Sequence, residues 1–278
     1  MSSAPTLDAS LGRLRVLARP IPGVHDIAAD LLVVSRGRVA RMATRSAVFI
    51  VATAVAPVPL VATAGLAAIA TVSTIALMHD LLHGSLGLSR RVNDVLLAVS
   101  AAVLLESGHA LQRTHRRHHR WFPDLDRDPE AAFACRGGVL RALAEGPVYR
   151  YRLWWWAWRH EQSARRWIGV EAGVHMATIG FAASRVAPAV TTYVMLVELG
   201  SWLFPLVSVL GVHAREGDDV FTRTRTLRGR VLPALLCNQG FHLEHHLWPM
   251  VPSSNLGELS RRAHRLLISR GAPIARTP

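Results

Sequence analysis

Residues 46–78 read SAVFIVATAVAPVPLVATAGLAAIATVSTIALM, thirty-three residues without a charged side chain. As one helix this stretch would be about 50 Å long, which exceeds the roughly 30 Å hydrocarbon core of a bilayer. Pro57 and Pro59 lie inside it, and proline disrupts the interior of a helix. The stretch therefore predicts two membrane-spanning helices joined by a tight turn, at residues 41–56 and 60–78.

A second apolar region repeats this arrangement further along the chain. Residues 167–186 and 189–212 carry one acidic side chain each, and Pro188 marks the turn between them. They predict two more crossings. The block at residues 92–111 is also apolar, but two acidic residues interrupt it, so we expect a buried or interfacial helix there.

The composition combines this apolar character with a strong positive charge. Half of the 278 residues are hydrophobic, yet 32 basic residues, all of them arginine, outnumber 19 acidic ones. Residues 1–45, 113–166 and 215–278 hold seven, twelve and ten of the arginines. Four crossings place these three segments on one side, which the positive-inside rule makes cytoplasmic. We therefore expect a multi-pass protein of a bacterial inner membrane with both termini in the cytoplasm.

The same charge pattern argues against two other classes of protein. A soluble helical protein would not confine its arginines to segments that a membrane topology aligns. A nucleic-acid-binding protein is disfavoured, because the chain has no basic module interleaved with aromatic residues. Only two cysteines are present, too few for a disulfide framework or a cysteine zinc site.

Eight of the fourteen histidines fall in three short clusters. The clusters read HDLLH at residues 79–83, HRRHH at 115–119 and HLEHH at 242–246. On a helix, residues i, i+3 and i+4 share one face, so each cluster can direct its imidazoles to one side. Taken alone, residues 115–119 could instead form a basic loop that contacts phosphate.

The three clusters meet on the predicted cytoplasmic side. The first ends the second crossing, the second lies in an arginine-rich segment, and the third follows the fourth crossing. Histidine is the commonest metal ligand in proteins, and eight imidazoles exceed the four ligands of a structural zinc ion. We expect one all-α integral membrane domain over residues 1–278. In it a polar lead-in, residues 1–40, precedes four transmembrane helices, and a cytoplasmic helical cap holds a dimetal centre.

The three motifs resemble the histidine boxes of the membrane fatty acid desaturase superfamily. This superfamily includes acyl-lipid and acyl-CoA desaturases, lipid hydroxylases, and carotenoid hydroxylases and ketolases. The resemblance covers nearly the whole chain in box order and spacing, and it implies two iron ions ligated by histidine, with O2 as co-substrate. The box histidines that it assigns as ligands are His79, His83, His115, His118, His119, His242, His245 and His246.

The resemblance also implies a ninth ligand, because desaturases of this kind use a further histidine after the fourth crossing. His213 stands at that place, ahead of the third box. In some relatives an asparagine four residues before this histidine helps to hold a metal through water. Here the position is Val209, so that detail does not carry over.

Four further polar residues near the boxes are candidates for supporting the ligands. Asp80 and Glu244 lie inside boxes and could orient an imidazole, as carboxylates do for metal-bound histidine. Asn238 precedes the third box, and His109, which recurs in some relatives, precedes the second. Asp80 and Glu244 could instead be helix-end charges at the interface, and His109 a hydrogen-bonded structural histidine. The acidic stretch at residues 124–128 is expected to be a solvated loop.

The resemblance implies an O2-dependent oxidoreductase that acts on a C–H bond of a lipid or isoprenoid in the membrane. We expect a fatty acyl desaturase, and a carotenoid or lipid hydroxylase or ketolase is the alternative within the superfamily. The sequence contains no dinucleotide fingerprint and no cysteine cluster for iron–sulfur. Electrons are therefore expected from a separate protein of the ferredoxin or cytochrome type.

A membrane metal-binding protein or transporter without enzymatic activity is the alternative from a different class. Transport predicts ionisable residues along a path through the spans. The predicted spans offer only Glu171, His175 and Glu198 for such a path.

Overall fold

The computed structural model describes residues 21–55, 59–213 and 219–277, and this part of the chain is mostly helical. Its α-helices are α1 (Val24–Ala28), α2 (Arg36–Val55), α3 (Leu60–His83), α4 (Arg90–Val103), α5 (Gly108–Trp121), α6 (Pro129–Cys135), α7 (Gly138–His160), α8 (Arg165–Ala183), α9 (Pro188–Trp202), α10 (Val231–Leu235), α11 (His242–Leu247) and α12 (Ser253–Ser269). A π-helical turn, Pro205–Leu210, continues α9, and short 3-10 turns lie at Ala29–Leu32 and Gln162–Ala164.

Two helices of the described chain are long and apolar enough to cross a membrane. They are Val61–His83, which is nearly all of α3, and Pro188–Leu210, which is α9 with its π-helical extension. Both coincide with predicted crossings. Large apolar side chains on these helices face outward, with Val61 85% exposed and Met195 59% exposed. An outward apolar surface of this kind suits contact with lipid rather than with water.

The other two predicted crossings are helical but more highly charged. Residues 41–56 fall largely within α2, which carries four arginines in its first ten residues. Residues 167–186 fall largely within α8, which begins with two arginines and contains Glu171. Neither helix combines the length and low charge of the first pair. The four-crossing topology therefore remains a prediction.

The apolar block at residues 92–111 forms two helices instead of the single helix expected. The axes of α4 and α5 meet at 103°, and the joined pair is apolar enough for one broken span or a re-entrant loop. Leu105, at the break, has a φ of 54°. A sharp bend of this kind exposes backbone and side-chain polar groups that need partners inside the fold.

The breaks between helices fall where the prolines predict them. The turn at Pro57 lies outside the described residues, but α2 ends at Val55 and α3 begins at Leu60. The second turn follows the end of α8, and Pro188 is the first residue of α9, a position where its missing N–H costs no hydrogen bond.

A small parallel sheet is the one element outside the predicted all-α class in the described chain. Strand β1 (Thr226–Arg228) pairs with β2 (Ile274–Arg276), and Leu227 lies opposite Ala275. This pairing fastens the C-terminal end of the chain beside the third box.

Residues 1–20 of the predicted lead-in lie outside the described residues. The described part of the lead-in packs against the rest of the protein. Ala28 and Leu31 are buried in the same apolar cluster as Leu243 of the third box. Nε1 of Trp248 donates to the carbonyl of Pro22 at 3.0 Å. This segment therefore covers the helix that carries the third box.

The crossing of α7 and α9 depends on Gly146. A Cβ at this position would overlap the backbone carbonyl of Trp202, so Gly146→Ala should force the two helices apart. Overpacking of this kind costs about 1–3 kcal/mol, and we expect a lower unfolding temperature of the protein in detergent.

Gly180→Ala is the matched control for this prediction. Gly180 also lies inside a helix, and a Cβ there meets nothing within 4 Å. Alanine is the better helix former, so the control should unfold at the same temperature or higher. Equal unfolding temperatures for the two variants would contradict the close approach at Gly146.

Candidate metal centre

Three helices and one short connection bring the histidines together. The first box ends α3, the second occupies the C-terminal half of α5, and α11 consists of the third box and one further residue. His213 follows the π-helical turn. Helix α3 stops directly after His83, where Gly84 takes the left-handed conformation with a φ of 69°, which glycine adopts readily.

The imidazoles form two compact groups. In each group four ligand atoms lie within 4.8 Å of one another, a spacing that could hold one metal ion. The first group is His79, His83, His115 and His245, and the second is His118, His213, His242 and His246.

Both HxxHH boxes supply ligands to both groups. His115 belongs to the first group, whereas His118 of the same box belongs to the second. The third box is divided in the same way, with His245 in the first group and His242 in the second. Residues three apart on a helix differ by about 60° around its axis at about 100° per residue, so one helix can face two neighbouring sites.

His119 lies at the edge of the first group. Its Nε2 is 3.1 Å from Nε2 of His115 and 2.9 Å from Nε2 of His245. Its ring also stacks on that of His246 in the second group, with centroids 4.2 Å apart. The structure therefore brings all nine predicted histidines to one place, with His119 between the two groups.

The hydrogen bonds of the second group leave two lone pairs facing each other. Nδ1 of His118 donates to Oδ2 of Asp128 at 2.6 Å, and Nδ1 of His213 donates to the carbonyl of Val209 at 2.5 Å. In a neutral imidazole the other nitrogen then carries a lone pair. The Nε2 atoms of His118 and His213 are only 2.8 Å apart. Two lone pairs at this distance repel each other unless a cation binds both.

In the first group one ring is fixed in the same way. Nδ1 of His115 donates to Oε2 of Glu130 at 3.1 Å, and its Nε2 is 3.2 Å from Nε2 of His79. Nε2 of His83 is buried and has no hydrogen-bond partner in the described structure. The donor set of both groups therefore fits metal ions.

Burial favours the neutral form that a metal ligand needs. It lowers the pKa of His213, His242, His245 and His246 well below the usual value of a histidine. Neutral imidazole suits iron, copper, zinc and nickel, so the geometry alone does not select the metal.

Asp80 and Glu244 support the backbone of their boxes rather than an imidazole. The carboxylate of Asp80 accepts hydrogen bonds from N and Oγ of Ser253, at 2.8 and 2.7 Å, which fastens α3 to the start of α12. Oε1 of Glu244 accepts from Oγ of Ser260 at 2.5 Å. The structure therefore places both carboxylates differently from the expectation that they orient ligands.

His109 and Asn238 also lie outside the two groups. Nδ1 of His109 is 2.7 Å from Oε1 of Glu171, and its ring stacks on Trp167. Nδ2 of Asn238 donates to the carbonyl of Ser253 at 3.1 Å. The hydrogen bonds of both side chains are therefore with residues outside the two groups, and Nε2 of His109 is buried without a hydrogen-bond partner in the described structure.

Asp128 and Glu130 are the carboxylates that accept hydrogen bonds from the histidines of the two groups. Neither was predicted from the sequence to do so. Asp128 was expected in a solvated loop, but it is fully buried. Its Oδ1 caps α6 by accepting from the backbone N–H groups of Glu130 and Ala131. A cap residue followed by proline is a recognisable helix start, and Asp-Pro-Glu closely after the second box was the available signal.

An apolar cavity of about 450 Å³ lies between α3, α7 and α9. Ala64, Ala67, Thr71, Ile75 and Met78 lie along one face of α3 and line it. At 1.5 Å per residue they span about 21 Å. Met78, the last of these residues along α3, directly precedes His79 of the first group in the chain.

Asp128→Asn should weaken metal binding at the second group. The amide keeps the cap of α6 but provides a weaker and less directional acceptor for His118. Loss of such a carboxylate partner lowers metal affinity by roughly 10–100-fold. The measurement is the metal content of purified protein during titration with a chelator.

Asp126→Asn is the control, because the side chain of Asp126 is 87% exposed and contacts Arg136 rather than a histidine. It should retain metal like the wild type. Equal metal retention in Asp128→Asn and Asp126→Asn would show that the Asp128 contact does not matter for the centre.

The family comparison agrees with this geometry. No curated protein matches the chain significantly. A family model described as fatty acid desaturase matches residues 53–278, which include all three histidine boxes and His213. The chain belongs to the fatty acid desaturase family.

Proposed function

We propose that this protein is an O2-dependent oxidoreductase that holds two iron ions and desaturates a fatty acyl chain in the membrane. The observation that carries the proposal is the facing pair of Nε2 lone pairs at 2.8 Å in the second group; in the first group Nε2 of His115 lies 3.2 Å from Nε2 of His79. Two cation sites side by side, together with an apolar cavity, suit oxidation of a lipid chain.

The residues of the chain have distinct parts in this proposal. The nine histidines would hold the two ions, and iron when bound supplies the redox chemistry with O2. Asp128 and Glu130 fix the ring orientation of His118 and His115 through Nδ1. The lining of α3 binds the alkyl chain, excludes water and directs a C–H bond toward His79.

Desaturation and hydroxylation differ only in the fate of the oxidised chain. Removal of a second hydrogen from the neighbouring carbon gives a double bond, whereas addition of oxygen gives an alcohol. The family match and the long apolar cavity support an acyl chain as substrate. A hydroxylase or ketolase would use the same ligands.

The membrane arrangement in this proposal is four crossings with both termini in the cytoplasm.

An arginine-rich surface pocket of about 600 Å³ lies beside Asp128 and includes Arg117, Arg127 and Arg152. A positive surface attracts an acidic partner at long range. We propose that a ferredoxin- or cytochrome-type electron donor docks there.

The transporter alternative is weakened by how the ionisable residues in the spans are paired. Glu171 accepts hydrogen bonds from Ser107 and His109, and Nδ1 of His175 donates to the carbonyl of Leu105 at 3.0 Å. These contacts are local to the break between α4 and α5 and do not form a path through the membrane.

Purified protein should contain two iron ions per chain, and His118→Ala should abolish turnover, because it removes a ligand of the second group. Membrane insertion should be unchanged. The measurements are elemental analysis, O2 consumption with reduced donor, and membrane fractionation.

His25→Ala is the matched control, because His25 is exposed on α1 and belongs to neither group. It should keep wild-type iron and turnover. Mass spectrometry of products from defined acyl lipids tests the reaction itself, with loss of two hydrogens expected. One zinc ion per chain without O2 consumption would refute the proposed function.

A further inference from the structure

Part of the wall of the apolar cavity is formed by two charged side chains. Arg150 of α7 and Glu106 of the α4–α5 break both line it, among side chains that are otherwise mostly apolar. Arg150 is only 5% exposed. A buried arginine beside a membrane-spanning helix is costly and marks a functional site by default.

The guanidinium of Arg150 is held firmly but not fully satisfied. Its Nη1 donates to the carbonyl of Leu105 at 2.5 Å and to Oε1 of Glu198 at 3.1 Å. Its Nε is 4.0 Å from Oε2 of Glu106. Its Nη2 is buried and has no hydrogen-bond partner in the described structure.

A second unsatisfied donor lies in the same wall. Gln239, three residues before the third box, also lines the cavity, and its Nε2 is buried without a partner in the described structure. Leaving a buried donor unpaired costs about 1–3 kcal/mol. Two such donors in one apolar cavity indicate that its occupant supplies oxygen acceptors.

The charges around Arg150 specify the kind of oxygen. Two carboxylates, Glu106 and Glu198, already adjoin the single guanidinium. A third carboxylate or a phosphate would meet an excess of negative charge. A hydroxyl or carbonyl oxygen accepts a hydrogen bond from Nη2 without this repulsion.

We propose that Arg150 is a specificity-determining residue that binds a neutral oxygen of the substrate. The cavity then selects a long apolar chain that carries a hydroxyl or carbonyl group inside the protein, rather than an unsubstituted chain. The inference rests on the proposed function for the role of the cavity as the substrate site. It narrows the substrate to an oxygen-bearing lipid or isoprenoid.

Competitive binding to wild-type protein tests this selection without turnover. Purified protein in detergent is incubated, without O2 or electron donor, with equal amounts of a long n-alkane and the ketone of the same carbon number with an internal carbonyl. Bound ligand is extracted and quantified by mass spectrometry against protein-free micelles. We expect at least about tenfold preference for the ketone, which corresponds to about 1.4 kcal/mol, as expected for a hydrogen bond to a charged donor.

Variants then assign the preference to Arg150. Arg150→Met should abolish it, and Arg150→Lys, which keeps a charged donor, should retain part of it. Arg159→Met is the control, since Arg159 is exposed on the same helix α7, where its guanidinium lies over the ring of Trp155. The control should keep the full preference.

Equal uptake of alkane and ketone by wild-type protein would overturn the proposal, and so would a preference that Arg150→Met leaves unchanged. The wild-type comparison decides alone if Arg150→Met fails to fold. Because binding is measured without metal chemistry, failure here is distinct from failure of the proposed oxidation, which iron content and O2 consumption report.

Discussion

The histidine centre depends on one constraint: two imidazole lone pairs that are buried close together need a cation that binds both. Nε2 of His118 and Nε2 of His213 face each other at 2.8 Å while their Nδ1 protons are directed to other acceptors. Without a positive charge between them, this contact is repulsive, and an unsatisfied buried acceptor also loses its hydration. The surrounding helices must therefore hold the rings against that repulsion. The carboxylates at Nδ1 and the anchors of the box backbones meet this requirement.

The sequence predicts which histidines converge, because the spacing of each box places its members near one face of a helix. It does not predict how they divide between two ions. That division depends on where the helices lie relative to each other, since one HxxHH helix contacts both groups. His118 and His245 are each the i+3 member of their box, yet they belong to opposite groups. Helix α5 and helix α11 approach the centre from different directions, and local periodicity carries no information about such packing.

The sequence also does not predict which carboxylates contact the imidazoles. Asp80 and Glu244 were natural candidates because they lie inside boxes, but neighbours in sequence point to other faces of a helix. Ser253 and Ser260 of α12 bind them instead. The carboxylate that orients His118 lies ten residues away, at the start of the next helix. A cap residue has a side chain fixed by its own helix terminus, which makes Asp128 a rigid acceptor for the ring.

The position of the centre follows from the ends of two membrane helices. The first box ends α3, and His213 follows the extension of α9, so both apolar helices deliver ligands at the same membrane face. The cavity lies between these helices, and α3 supplies part of its apolar wall up to Met78, the residue before the first box. The broken pair α4–α5 contributes Leu104 and Glu106 to this wall, and Leu105 between them has a left-handed backbone whose carbonyl accepts a hydrogen bond from Arg150. Backbone at a break inside apolar surroundings needs such a partner. The charged part of the cavity wall is therefore built by the same bend that brings the second box to the metal centre.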